Sequence, residues 1–338
     1  MALAQEMLLQ PRWDESEWTR IKNETIAQIQ QAQGNPGAIS NIVYNKLMYG
    51  GENMLSTPIS GTVESVNNIT LDDVKAFYNN NIVANLTSVH VAGDVAQQQV
   101  TASLAPLAKT LKAGDVQLPA TTAATLNEKA QVYFVDVPGA KQSFIKIGAR
   151  AMVANSDDYY PLVAVNHNLG GSFSGQLFQI LRLQKGYTYG AYSGVNRKNL
   201  GGVFTASSSV RSNVTLESLQ TFREIMTNYN QGFDEEALTN TKSVLSRSNA
   251  RAFETTDSLM GVLQNISSYD LPKDYVAKQQ ATLANMTIEQ AQQTVAKYMN
   301  PDKMIYLIVG DAATQLERVN ELGLGKAIVL DTAGNPVN

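Results

Sequence analysis

Between residues 177 and 193 the apolar positions change period, and no stretch of the chain is more informative. Leu177, Ile180, Leu181 and Gln184 step by three and four, the spacing of a helix with one apolar face. Gly186 stands where a helix end favours glycine. Tyr187, Tyr189 and Ala191 then alternate, which is the period of a strand. Read the same way, the pattern predicts helices within 1–33, over 38–49, from Thr70, over 156–170, over 214–230 and 234–262, and from Thr287. Strands are predicted over 86–91, 132–137, 143–149, 202–210 and 304–309. Thr70 with Asp73, and Asp14 with Glu17, have capping-box spacing.

These elements repeat. Asn68-Ile69-Thr70-Leu71 resembles Asn285-Met286-Thr287-Ile288, at an offset of 217. Each is followed, 23 positions after its threonine, by a glycine in Gly-Asp, at Gly93 and Gly310. Trp13-Asp14-Glu15 resembles Phe233-Asp234-Glu235, at an offset of 220. Three matches in one order point to duplication. Residues 113–130, rich in Ala, Thr, Gly and Pro, read as a linker between a first domain over 1–112 and a second over 131–330. The second copy has about a hundred residues before Phe233 and the first has twelve before Trp13. The first domain is therefore expected to lack its opening strands, as a fragment or as a sheet completed by another piece.

Composition narrows the chemistry. Among 338 residues there is no cysteine, which removes thiol nucleophiles and thiolate metal sites. A net charge of −4 and the lack of a basic stripe argue against nucleic acid. No apolar run approaches the roughly 20 residues of a membrane span. The two histidines, His90 and His167, lie far apart and read as structural. Gly170-Gly171 could cradle phosphate at a helix start, but no Lys-Ser/Thr follows, and a packing turn is the simpler reading. Taken alone, Arg182 is a solvated cation near a helix C-terminus and Tyr189 an ordinary strand aromatic. Together they offer a fork of donors and a hydroxyl suited to a carbonyl or an oxyanion.

The run from Leu181-Arg182 through Gly186 to Tyr189 resembles the pitrilysin, insulysin and mitochondrial-processing-peptidase family of zinc peptidases. Leu169 to Phe178, Leu8-Leu9-Gln10-Pro11-Arg12-Trp13-Asp14 and Val91-Ala92-Gly93-Asp94 are similar to it as well. The resemblance implies an α+β fold of two similar domains of the LuxS/MPP-like type, each an antiparallel sheet with helices packed on one side. It implies a clamshell of two halves closing on a peptide substrate. One half carries zinc on His-x-x-Glu-His; the other supplies an arginine and a tyrosine seven residues apart, the spacing of Arg182 and Tyr189. Tyr187 is the competing phenol on the same strand.

The departures are equally informative. No His-x-x-Glu-His occurs here. Gln28 stands where the family's third zinc ligand is expected, and the nearest carboxylate is Glu24, one turn away. The resemblance thus implies the non-zinc half, with no metal site or catalytic residue of its own and with Arg182 and Tyr189 as substrate-binding residues. Zinc and hydrolysis are expected on a partner half, either a separate subunit or an upstream part of the same chain. The alternative is an inert structural subunit of the same fold. The family's two-part bacterial members point to the periplasm.

Overall fold

The computed structural model describes residues 2–51, 53–117 and 128–337. In chain order its first helices are α1 (Ala2–Leu9), α2 (Glu15–Ala32), α3 (Pro36–Tyr49), α4 (Val63–Asn68), α5 (Leu71–Asn81) and α6 (Gln97–Thr110). Strands β1 (Gln131–Asp136) and β2 (Gln142–Arg150), helix α7 (Tyr159–Leu169), and strands β3 (Thr188–Val195) and β4 (Val203–Arg211) follow. The chain continues through α8 (Thr215–Gly232), α9 (Glu235–Ala250), α10 (Thr256–Tyr269), α11 (Tyr275–Asn285) and α12 (Ile288–Tyr298). It ends with β5 (Ile305–Gly310), α13 (Ala312–Asn320) and β6 (Ile328–Leu330).

Two compact units divide these elements, and neither is continuous in sequence. One comprises residues 1–31, 59–120 and 251–268; the other comprises 32–58, 121–250 and 269–338. A boundary between 112 and 131 therefore separates the chain only in part. Helix α3 belongs with the second unit, because its Ile39, Val43, Tyr44 and Met48 are buried with strand residues of that unit. Most of the linker read over 113–130 lies outside the described residues.

Among its described residues the first unit is helical. Lys22 donates to the carbonyls of Asn67 and Ile69, tying α2 to the end of α4. Trp13 meets Tyr78 edge to face at 5.3 Å. The strand expected over 86–91 is not formed: Ala84–Leu86 is a 3-10 turn and 87–92 runs on without a ladder. Its alternation is real, but a strand needs a neighbour to take its amides, and no described segment of this unit is one. The repeat survives in the caps. Thr70 and Thr287 each close a capping box, and each starts a helix of 11 residues. Asp14 and Asp234 each accept backbone amides at the start of the next helix.

The second unit is α+β, built on a six-stranded sheet of order β3-β4-β2-β5-β1-β6. The sheet is mixed rather than wholly antiparallel. β1 pairs in parallel with β5 and β6, while β2, β3, β4 and the β2–β5 pair are antiparallel. The parallel pairs follow from connectivity, since long helical excursions separate β1 from β5. One face packs Phe134, Ile145, Ile147, Phe204 and Tyr306 under the apolar sides of α7, α8, α9, α11, α12 and α13. The helices are not confined to that face. On the other, Val135, Val203, Ile305, Leu307 and Val309 are covered by α3.

Gly148 on β2 sets how closely α3 approaches. A Cβ there would lie 2.0 Å from the Phe204 carbonyl oxygen and 2.3 Å from the Tyr44 hydroxyl. Tyr44 in turn shares a 3.1 Å hydrogen bond with Thr205 on β4. Gly148→Ala is therefore expected to lower stability by about 1–3 kcal/mol, the range for an overpacked core. Urea denaturation measures this, and an unchanged midpoint would mean that α3 does not seat against β2.

Candidate functional site

The segment from Phe178 to Gln184 is a π-helix rather than the α-helix its spacing predicts. The Lys185 amide bonds to the Ile180 carbonyl at 2.9 Å, closing the wider turn. Leu177 and Leu181 remain fully buried, so the apolar anchor positions are those of the sequence pattern. Gly186 then takes φ 62°, a value that glycine adopts without strain. The chain turns into β3, the free edge of the sheet.

A bulge at the start of β3 decides where the phenols go. Thr188 pairs with Val210 and Ala191 with Ser208, so Tyr189 and Gly190 together oppose the single residue Ser209. Both buried partners belong to the face under α7–α9, which turns Tyr189 to the face that carries α3. Tyr189 is 83% exposed. Tyr187, which simple alternation puts on the same face, packs instead against the main core.

Arg182 meets Tyr189 across this corner. Its guanidinium carbon lies 4.9 Å from the centre of the Tyr189 ring, within cation–π range. One Nη donates to the Thr188 carbonyl at 3.2 Å. Among the described residues no carboxylate pairs with Arg182, so most of its donor fork is uncommitted. A cation and a phenol beside an edge strand can receive a carbonyl oxygen or an anion.

The surroundings extend this surface along the same face. Tyr192 packs against Phe173 and Phe178, with ring centres 5.8 and 5.6 Å away, and Phe173 is 70% exposed. On the far side of Tyr192, a groove of about 510 Å³ runs between α3 and strands β2, β3 and β4. Lys146 lines it, 5.1 Å from the Tyr44 ring centre and bonded to the Asn41 side-chain oxygen. Periodicity gave no sign of Lys146. Its signal was a single cation inside the otherwise apolar alternation Phe144, Ile145, Ile147.

Other candidates settle into structure. A Cβ on Gly170 would lie 2.6 Å from the Ser193 amide, so this glycine serves a close packing turn. His90 bonds to Ser267 in the first unit, and His167 is a half-buried residue of α7. The Glu24 carboxylate is held by Arg20 at 2.7 Å. Among the described residues no three metal-binding side chains gather.

The family described as the peptidase M16 inactive domain matches residues 68–245. Over 259 residues the chain is 24% identical to the uncharacterized zinc protease YmxG of Bacillus subtilis (strain 168), covering 75% of this chain. It spans only 61% of that relative's length. It is 18% identical over 308 residues to the non-peptidase homolog YmxG of Helicobacter pylori (strain ATCC 700392 / 26695), covering 90% of this chain and 70% of the other. The solved structure of a peptidase M16 inactive domain from Pseudomonas fluorescens superposes with a TM-score of 0.83 at 24% identity. That match covers 92% of this chain and 74% of the solved one, and it shows a shared fold.

The groove lysine has a measurable signature. Burial lowers the Lys146 ammonium from its usual 10.5 to about 8. Between these values the unfolded chain binds a proton that the folded chain has lost, so this group makes stability rise with pH from about 8 to about 10.5. Below about 8 both states are charged, and the folded state carries the desolvation cost in full. Wild type should therefore gain stability relative to Lys146→Met as pH rises through this window, as read by urea midpoints. Parallel profiles would show a lysine as well solvated in the folded chain as in the unfolded one.

Proposed function

Since the chain belongs to the peptidase M16 inactive-domain family, we propose that it serves as the non-zinc half of a two-part peptidase, binding the peptide and stabilising the oxyanion of the reacting carbonyl. The observation that carries this reading is the Arg182–Tyr189 pair. It consists of a guanidinium with one donor spent on the Thr188 carbonyl, set over an exposed phenol at an edge of the sheet. The pair stands beside β3, placed to receive one carbonyl of a bound peptide.

In this proposal zinc belongs to the partner half, where it supplies a Lewis acid and a water nucleophile. This chain's residues bind, orient and neutralise. Arg182 brings a positive charge on a planar fork of donors, and Tyr189 brings one O–H donor. Both can shorten their contacts as negative charge grows on the substrate oxygen, which favours the transition state over the ground state. The inert-subunit reading draws on the relative named a non-peptidase homolog. It gives the Arg182–Tyr189 stack no purpose.

With the zinc-bearing half present, Tyr189→Phe should reduce kcat by roughly 10²–10³, the effect of one lost oxyanion donor, with a smaller rise in KM. Tyr187→Phe should leave kcat near wild type, because that ring packs against the core. Unchanged turnover in Tyr189→Phe would favour the inert subunit. After dialysis, elemental analysis of this chain alone should find far less than stoichiometric zinc. One equivalent of zinc would place a metal site here and overturn the assignment of halves.

A further inference from the structure

The groove beside α3 has a composition that the oxyanion role does not use. Its polar lining includes Asn41, Lys146, Tyr192, Asn196, Thr205 and Ser207, and none of its described lining residues is acidic. Lys146 spends one donor on Asn41, and among the described residues no carboxylate pairs with it. The titratable groups facing it are Tyr44 of α3 and Tyr192 of β3; β4 presents Ser207 and β5 pairs Leu307 with it. Tyr44 is itself held neutral, since burial raises its pKa well above the usual range. A half-buried cation with hydroxyls and amides around it and no counter-ion is a donor set waiting for an anion.

We propose that this groove is a carboxylate-binding subsite, with Lys146 as its specificity-determining residue. On the peptide-binding reading, on which this part rests, it selects an acidic group in the bound peptide. Sheet register gives the spacing. Lys146 and Tyr192 both pair with Ser207, so they stand in one row across β2, β4 and β3, while Tyr189 stands opposite Ser209. Lys146 and Tyr189 are thus two strands apart and two residues along. That is roughly 12 Å between backbones, which an extended peptide covers in roughly three to four residues. Tyr192, braced by Phe173 and Phe178, lines the β3 side of the groove.

The carboxylate could be a side chain or a chain terminus, and one experiment separates them. Fluorescein-labelled peptides of mixed Ala, Phe and Ser sequence are compared by anisotropy in three forms. The first carries one Glu and is blocked at both ends; the second has Gln in its place; the third is the Gln peptide with a free C-terminal carboxylate. The wild-type chain should bind at least one acidic form about ten-fold more tightly than the blocked Gln form, or about 1.4 kcal/mol. The preferred form identifies the source. Lys146→Met should bring the ratio to about one without weakening the Gln form. A chain labelled with 13C-lysine should also show the Lys146 Cε resonance moving as acetate is added, a measurement that needs no variant to fold. Peptides bound with equal affinity in all three forms would overturn the subsite and leave the peptide-binding reading standing. Movement with acetate when no peptide binds would keep the subsite and remove the peptide-binding reading. If the resonance does not move and no acidic form is preferred, the subsite is overturned.

Discussion

A sheet with two apolar faces has to cover both, and this one covers them unequally. The face carrying Phe134, Ile145, Phe204 and Tyr306 is roofed by helices along its length. The opposite face is apolar over β1, β5 and the first residue of β4, where Val135, Leu307, Val309 and Val203 lie under the single helix α3. Toward β4 and β3 the same face changes character, to Thr205, Ser207, Ser209 and Tyr192. Hydroxyls can stay wet without the desolvation cost that buried polar groups bear, so this part needs no helix. The candidate site occupies the boundary between the two regimes. Gly148 fixes that boundary by letting Tyr44 come close enough to reach Thr205.

Much of the second unit was legible because its sequence signals are local. Alternation located β1, β2, β4 and β5, and the caps at Thr287 and Asp234 are formed as their spacing requires. Within the serine run of β4, Ser207 and Ser209 flank the site while Ser208 is buried and bonded to Thr188. What could not be read was anything that depends on a distant neighbour. The alternation over 86–91 is as regular as that of a true strand, but pairing decides strands and no described partner exists. The parallel pairing of β1 with β5 depends on where the chain returns after about 170 residues. The position of α3 on the second unit depends on which apolar surface is left uncovered.

The Arg182–Tyr189 pair shows a finer limit. Their seven-residue spacing was visible, and so was the glycine between them. Two features that bring them together were not. The π-turn adds an extra residue to the helical loop, and the bulge adds one to the strand. Tyr187 precedes β3, where its amide bonds to the Leu181 carbonyl and its ring packs against the main core, while Tyr189 lies within the strand at the bulge. Residue type cannot distinguish these two tyrosines, because alternation assigns them one face and only where the ladder begins parts them.

The electrostatics of the face point in one direction. Arg182 and Lys146 are cations without carboxylate partners among the described residues, and Tyr189 and Tyr192 add donors beside them. The face therefore attracts negative charge, whether fixed on a ligand or developing on a reacting oxygen. A hydrolase also needs a base or a metal to activate water, and among the described residues no three metal-binding side chains gather. The two cations differ in how they can serve. Arg182 is half-buried beside an exposed phenol, and its planar donor fork can respond to transient charge on a reacting oxygen. Lys146 is desolvated, and burial draws it toward neutrality, to about 8. A bound carboxylate would return its lost stabilisation, because the pair shares the cost of leaving water. Desolvation thus makes Lys146 a poor bystander, and a permanent charge in the ligand is what its position suits best.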